Sequence, residues 1–513
     1  MKKILLVIAL INTIFIYSQS FEWVKTPPIV FNSTPALIGY PTTCDAYGNI
    51  YLTGFTNNLY NYTEIYGDLF YNKYNNLGQL LFSKIITGKA QMYDIQSDSS
   101  GNIYVAAAYI ESITIDNTTI STTLPGVKPL LLKFNANGEL LWNIEISTFN
   151  TSVNHFKSIT IDTADMVYIS YDNYNYSYVK KLDASGNVLL TIEQQNVNII
   201  SSVSVDNEGY IYTAGSCANA NSKFASVTVP ATFSYNTYVA KYSPTGIYQW
   251  VKFVQDITCP EPQVIAKSQD EVYFSSTLNG PYTFGTITAQ GPNGGYDFFI
   301  AKLNSTGTFQ WVREAPGNGK AFVGKRNYLN LDTSGNVYFS GSTSGIVNWD
   351  NNITTVSSIY QDGLVLKYDS NGTILMAKTA GGIDTDRFDG ITINALGDIF
   401  VSGIVRGTSN FDAIQLFESD PNKFYPILAK INNSNLNYSQ FDSETDIVYP
   451  NPTKDFFSIK NAKMYTKGEI YTLLGSRIKQ FEINESPISI QELANGTYFI
   501  KLEGFKTFKL IKF

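Results

Sequence analysis

The sequence contains one histidine, His155, and three cysteines, Cys44, Cys217 and Cys259. A Ser-His-Asp or Cys-His mechanism moves its proton through an imidazole, so it would have to be built on His155 alone. That residue sits in Thr151-Ser152-Val153-Asn154-His155-Phe156, a polar stretch leading into a strand, and reads as a surface or loop histidine. Three cysteines cannot pair completely within one chain, so this is not a disulfide scaffold. The spacing leaves two readings open: a Cys217–Cys259 bridge between adjacent strands, or three separate, semi-buried thiols. With no CxxC and no Cys/His cluster, no zinc site is expected. No Lys-Ser or Lys-Thr follows Gly291-Pro292-Asn293-Gly294-Gly295, which reads as a flexible loop and not a phosphate cradle.

Carboxylates are the other source of chemistry. The densest group is Asp384-Thr385-Asp386-Arg387-Phe388-Asp389-Gly390. It lacks the spacing and closing Glu of a calcium loop and reads as a solvated loop, so neither a metal nor another cofactor is expected. A glycosidase needs two carboxylates facing each other across a cleft, and no local motif nominates such a pair. Asp98, Asp206 and Asp332 occupy equivalent positions of a repeated string, where a structural duty is the first reading.

That string is an acidic turn followed by an aromatic strand. It is clearest in Asp206-Asn207-Glu208-Gly209-Tyr210-Ile211-Tyr212-Thr213-Ala214-Gly215 and Asp332-Thr333-Ser334-Gly335-Asn336-Val337-Tyr338-Phe339-Ser340-Gly341. Further copies begin at Asp45, Asp98 and Asn394, and degraded ones run from Asp162 to Ser170 and from Ser268 to Ser276. The Asp side chain starts a turn by bonding the backbone two residues on, and Gly or Asn accepts positive φ. The aromatic run that follows is a strand. A second string is a hairpin, as in Ala301-Lys302-Leu303-Asn304-Ser305-Thr306-Gly307-Thr308-Phe309-Gln310-Trp311. It too occurs seven times, and its turn glycines fall at 78, 138, 186, 246, 307 and 372.

A period near 60 residues suits one four-stranded blade with loops, and seven copies span about 21 to 441. The expected body is therefore an all-β, seven-bladed β-propeller, with six or eight blades as alternatives. Phe21-Glu22-Trp23-Val24-Lys25 looks like a detached outer strand that could complete the last blade and close the ring. A solenoid would need shorter repeats, and stacked sandwiches would not repeat one motif pair seven times. The stretch from Gly381 to Gly403 and Tyr296-Asp297-Phe298-Phe299-Ile300-Ala301-Lys302 are similar to the bacterial SBBP-type β-propeller repeat. That resemblance implies a fold and no particular chemistry.

The composition agrees with this architecture. Only 15% of residues are charged, while 36 Tyr and 32 Phe favour strands. A net charge of −7 leaves no basic footprint for nucleic acid and no attraction to an anionic membrane. At the N-terminus, Met1-Lys2-Lys3, an apolar run from Ile4 to Ile16, and Tyr17-Ser18-Gln19-Ser20 form the three parts of a secretory signal peptide, 1–19. The run is short for a membrane span, and no transmembrane segment is expected after cleavage.

After Phe441 the repeat stops. Residues 442–446 form an acidic linker, and 447–513 read as a small Ig-like β-sandwich. Its strings are Tyr449-Pro450-Asn451-Pro452, a turn at Gly475, and Asn495-Gly496-Thr497-Tyr498. In that order they resemble the type IX secretion C-terminal sorting domain. The resemblance implies that the type IX translocon is a partner, that the protein is secreted or held at the outer surface of a Bacteroidetes-type cell, and that the tail is removed.

Two functions fit such a protein. One is a binding or adhesion module for a glycan or surface protein. Its candidate contacts are Tyr60 and Tyr62 in one loop and Tyr171, Tyr174 and Tyr176 in another, because rings stack on sugars and amides bond hydroxyls. The other is a polysaccharide hydrolase or lyase with carboxylates at the propeller mouth. Residues that repeat build the blades, so a specific site is expected in what does not repeat.

Overall fold

The structure, a computed structural model, describes residues 19–28, 39–61, 64–123, 126–146, 155–173, 175–218, 220–254, 261–292, 296–317, 319–358, 360–417, 420, 423–433, 447–460, 467–472, 476–483, 486–502 and 507–513. The signal segment up to residue 18, the linker 442–446, Tyr62, Tyr174, Cys259, residues 293–295 and Gly475 lie outside this set. The chain divides into two compact units, Met1–Ser434 and Asn435–Phe513. All regular elements among the described residues are β-strands, and no helix there is long and apolar enough to cross a membrane.

The first unit is a β-propeller. Among the described residues its strands pair into seven antiparallel groups of four. Blade 1 contains Thr42–Cys44, Ile50–Asn61, Glu64–Tyr74 and the start of Leu80–Ser97, whose second half is the inner strand of blade 2. Blade 2 continues with Ile103–Ile115, Lys128–Phe134 and Leu140–Glu145. Blades 3, 4 and 5 begin with inner strands His155–Ile161, Ile199–Val205 and Gln263–Ser268. In blade 6 the inner strand is split into Lys320–Val323 and Leu329–Leu331. Blade 7 has Arg387–Ile393 innermost, then Ile399–Arg406 and Phe424–Ile431. Its outermost strand is Phe21–Lys25, paired antiparallel with Phe424–Ile431. The inner strands contact one another in sequence, and that of blade 7 contacts that of blade 1. The ring thus closes through the N-terminal strand, as its hairpin-like sequence suggests.

The repeated residues explain how blades hold each other. In the turn after the inner strands of blades 1, 2, 3, 4 and 6 an Asp carboxylate replaces missing backbone partners, and the Asn394 amide oxygen does so in blade 7. Asp332 Oδ1 accepts from Ser334 N (2.9 Å) and Asn336 N (3.0 Å), and Oδ2 from the Tyr338 hydroxyl (3.0 Å). Asp206 and Tyr212 repeat this at 2.9 Å, Asp45 and Tyr51 at 3.0 Å. A lysine on the third strand then lies over the ring: Lys73 on Tyr51, Lys133 on Tyr104, Lys181 on Tyr168, Lys241 on Tyr212, Lys302 on Tyr273, Lys367 on Tyr338 and Lys430 on Phe400, 4.7 to 6.0 Å from the centroids. Several of these ammonium groups also donate to the hairpin turn of the next blade, as Lys73 does to Ala136 O (2.8 Å) and Lys302 to Ser370 O (2.9 Å).

Tryptophan makes the same crossing. Trp250 Nε1 donates to Ser305 O (2.9 Å), Trp311 to Ser370 O (3.1 Å), and Trp23, on the closing strand, to Asn76 O (3.1 Å). The hairpin glycine beneath each ring is required twice over. Gly307 has φ +74, and a Cβ there would come within 2.9 Å of the Trp250 indole. Between blades, mixed cores form, such as Tyr273, Phe298 and Ile300 of blade 5 with Phe339, Leu364 and Leu366 of blade 6.

One expectation needs correction. Plain loops do not account for the 60-residue period. Small hairpins occupy the connection between the second and third strands of blades 4 to 7: Ser222–Phe224 with Val227–Val229, Tyr282–Phe284 with Ile287–Ala289, Ile346–Trp349 with Ile353–Val356, and Thr408–Phe411 with Ile414–Phe417. Blade 2 extends its second strand into a similar pairing with Thr118–Ser121. Blade 3 has only a tight link there, in which Asn173 N donates to Tyr176 O (3.0 Å). That is why Gly138 and Gly186 are closer in sequence than the other turn glycines.

The second unit is a small sandwich. One sheet orders Ile447–Tyr449, Phe456–Lys460 and Ile488–Ser489; the other orders Arg477–Glu482, Lys467–Thr472, Gly496–Leu502 and Thr507–Lys512. Val448, Phe457, Ile470, Ile500 and Leu510 share its core. Asn451, between the two prolines, accepts from Ile511 N through Oδ1 (2.9 Å), and Lys512 Nζ donates to Ile490 O (2.7 Å). The Tyr498 hydroxyl donates to Ala494 O (2.7 Å), bracing the turn that holds Asn495 and Gly496.

Candidate functional site

Each inner strand ends at the repeated turn, which is built on Asp in blades 1, 2, 3, 4 and 6 and on Asn394 in blade 7. Its beginning, at the other end, is irregular. In blades 2, 3, 4 and 7 one extra residue is inserted against the second strand: Tyr93, Lys157, Ser201 and Asp389. Such a bulge unpairs one residue and re-aims its side chain. In blade 6 the insertion grows to residues 324–328, which together oppose Ser340: Gly324 N donates to Ser340 O (3.1 Å) and Ser340 N to Tyr328 O (2.9 Å). The beginnings of the inner strands of blades 2 to 6 enclose a pocket of about 110 Å³ lined by Tyr93, Asp94, Lys157, Ser158, Ser201, Glu261, Gln263, Lys325, Arg326 and Asn327. Three of the four single bulge residues are in that lining. The fourth, Asp389, is buried beside it and accepts Arg326 N through its backbone carbonyl (3.0 Å).

The lining is polar and held by side-chain bonds between blades. Asp94 of blade 2 accepts Ile159 N (2.9 Å) and the Ser158 hydroxyl (3.2 Å) of blade 3. Its other oxygen accepts Ile95 N (2.8 Å), and burial pushes its carboxyl up to about 6. Glu261 pairs with Lys325 at 3.2 Å. Lys157 and Arg326 both lie over the Tyr93 ring, at 5.8 and 5.7 Å. Arg326 is steadied by Gly39 O (3.3 Å), and Asn327 Nδ2 donates to Thr42 O (2.8 Å), so blade 1 braces the blade 6 insertion. The arrangement can hold a polar, charged group of about one ring's size. It also brings two carboxylates from different blades to one pocket, each already engaged.

Of the residues expected at a ligand site, Tyr62 and Tyr174 fall outside the described residues, and Tyr60, Tyr171 and Tyr176 are not in this lining. Tyr60 is near the tip of a long blade 1 hairpin, its backbone opposite Ile65. Tyr176 is 38% exposed at the start of a blade 3 strand and stacks on Tyr178 (6.4 Å). Tyr171 is a correction: it is 3% exposed, stacked on Tyr178 at 5.0 Å inside the blade, and offers no face to a ligand. The Asp384–Gly390 segment is a second correction. It is no solvated loop: Asp386 is fully buried, accepting Gly382 N (2.7 Å) and Arg406 N (2.9 Å), and Asp389 is buried against Arg387. Among the described residues, no three His, Cys, Asp or Glu side chains gather as metal ligands. Cys44 and Cys217 carry free thiols. His155 opens the inner strand of blade 3, its backbone opposite Asp172.

The pocket itself was missed. A usable signal lies in the repeats: aligned on the small residue or Asp before Ile or Val (Asp94, Ser158, Ser202, Gly390), the preceding position is Tyr93, Lys157, Ser201 and Asp389, different every time.

Residues 447–513 match the family described as "Secretion system C-terminal sorting domain", Por_Secre_tail. The tail marks the chain for export by the type IX system to the cell surface or extracellular space, and it implies interaction with that machinery. An uncharacterized WD repeat-containing protein of Acanthamoeba polyphaga mimivirus is 23% identical over 306 residues, 55% of this chain but 17% of that protein. Solved structures of similar course include the Dos1 propeller (10% identity, 79% of this chain and 95% of that one, TM-score 0.36). Others are a luciferin-regenerating enzyme (9%, 80% and 96%, 0.34) and a protein of unknown function from Bacteroides caccae (11%, 67% and 84%, 0.31).

Proposed function

We propose that this secreted propeller is a binding or adhesion protein, taking a glycan or a surface-protein ligand in the pocket at the centre of its ring. The observation that carries the reading is the run of bulges: the inner strands of five blades depart from regular pairing at one end, and four of those departures bring polar side chains or Tyr93 to one pocket. Hydroxyls and amides beside an aromatic ring are the groups that recognise sugars and polar peptides. The body is read as an SBBP-type repeat on the strength of its Gly381–Gly403 string, and residues 1–19 as its cleaved signal.

A hydrolase or lyase is the second reading. Asp94 and Glu261, from blades 2 and 5, favour it by lining one pocket. Against it, both Asp94 oxygens accept hydrogen bonds and Glu261 is paired. A glycan array run beside a product-release screen separates the two. Binding without turnover is expected. Sugar release that stops in Asp94→Asn would replace the binding reading with the catalytic one. For export, deletion of 447–513 is expected to leave the protein in the periplasm, and unchanged secretion would refute the sorting role.

A further inference from the structure

The third strands of blades 5 and 6, Asp297–Leu303 and Asp362–Tyr368, both open on a buried aspartate. In blade 5 its oxygens are well supplied: Asp297 accepts Phe298 N (2.8 Å), Ala315 N (3.0 Å) and Ala321 N (3.1 Å). In blade 6 they are not. Asp362 Oδ2 accepts Ser358 N (3.0 Å), but Oδ1 is buried with no hydrogen-bond donor, and the residue is only 7% exposed. The Ser358 hydroxyl stands near this carboxylate and favours its charge without bonding Oδ1. The amide that follows the fourth strand goes elsewhere: Gly382 N donates to Asp386 Oδ2 (2.7 Å). Asp386 stands just before the inner strand of blade 7 and also accepts Arg406 N (2.9 Å) and the Ser409 hydroxyl (3.1 Å).

The two carboxylates meet over Gly381. A Cβ there would come within 2.5 Å of Asp362 Oδ1 and 2.7 Å of Asp386 Oδ2, so the oxygens are no more than about 5 Å apart, where like charges disfavour each other. Nearby cations are committed to other carboxylates: Arg387 to Asp389, Arg406 to Asp384 (3.7 Å) and Lys378 to Asp412 (2.6 Å). Lys320, on the neighbouring inner strand, is exposed. Among the described residues, no cation pairs with either Asp362 or Asp386.

We propose that Asp362 and Asp386 share one proton, forming a pH-sensitive clasp across the seam between blades 6 and 7. Asp386, with three donors, is the better anion, so the proton sits on Asp362 Oδ1 and supplies the donor that oxygen lacks. Burial, with the Asp362 charge beside it, pushes Asp386 up to about 7, and burial raises Asp362 as well. The stabilisation is complete below the usual carboxylate range and is lost as pH rises through the folded value. Above it two buried charges face each other and loosen the strand that carries Asp389 to the edge of the pocket. The clasp does not depend on the binding role proposed above.

The test compares the melting temperature of the full chain with that of Asp362→Asn at pH 5 and pH 8. An amide mimics the protonated acid, accepting Ser358 N and donating toward Asp386. The two proteins are expected to melt alike at pH 5, and the variant about 2 °C or more above the wild type at pH 8. The infrared absorption of protonated carboxyls at pH 6 should also be weaker in the variant. A variant that melts lower at both pH values, or does not fold, would show that Asp362 serves as an anion and would overturn the inference. An equal fall in melting temperature from pH 5 to pH 8 in both proteins would do the same. So would a melting temperature that rises with added calcium in the wild type but not in the variant, because a cation would then hold the place of the proton.

Discussion

The two ends of each inner strand follow opposite rules. At one end an Asp, an aromatic and a Lys recur in blade after blade, and in several blades the Lys ties its own turn to the next blade's hairpin. At the other end Tyr93, Lys157, Ser201, Asp389 and the 324–328 insertion occupy matching places and share no chemistry. The repeated contacts between blades lie at the first end; at the second, the bonds between blades are made by residues that differ from blade to blade, such as Asp94 and Asn327. Bulges make the variation possible: an extra residue leaves the ladder on either side of it intact while presenting a new side chain to the axis. Substitutions at the turn end should therefore cost stability and spare binding, and substitutions at the pocket end should do the reverse.

The strongest challenge to that division is the closing strand. Trp23→Ala removes a buried indole bonded to Asn76 O and resting on Gly78, and should cost about 3–5 kcal/mol in denaturant unfolding. A loss no larger than that of an exposed substitution would mean that ring closure does not depend on this strand. Next comes Asp332→Ala, which strips two turn amides and leaves Lys367, 3.6 Å away and buried, without its carboxylate. About 3 kcal/mol is expected, with ligand binding unchanged.

Acidity should act through different residues again. Burial raises Asp297 and Asp386 to about 7 each and Asp94 to about 6. A raised carboxyl holds its proton more tightly folded than unfolded. Its stabilisation is present below the unfolded value, near 4, and is lost as pH rises through the folded value. The melting temperature should accordingly fall between pH 5 and pH 8, and a rise over that range would contradict the burial of these groups. Tyr212→Phe, which deletes one hydroxyl from Asp206 and keeps the ring under Lys241, should cost about 1 kcal/mol. Lys157→Gln should be the mildest, within about 0.5 kcal/mol, while weakening ligand binding. A large stability loss there would erase the distinction between the two ends.

How much could be read in advance depended on the range of the interactions. The Asp turns were legible because the carboxylate bonds residues two, four and six positions ahead, all within one string. The closing strand was legible because Phe21–Lys25 copies the end of a hairpin. The small hairpins were not: their sequences, such as Ser222–Phe224 and Val227–Val229, are too short to stand out, and the tight link of blade 3 is recognised only by comparison with its neighbours. Tyr171 was misjudged since tyrosine suits both an exposed loop and a strand core, and its stack on Tyr178 forms only after the strands pair. Asp386 was misjudged likewise; the amides that receive it come from Gly382 and from Arg406, twenty residues on.

By itself the sequence determined the repeat, its turns and the secretion tail, because each is written in contiguous residues with a local cause. Tertiary structure alone decided where the pocket lies and what lines it. A bulge exists only relative to the strand it fails to match. Tyr93, Lys157, Ser201, Glu261 and Arg326 are spread over more than two hundred residues, and only the closed ring brings them to one axis.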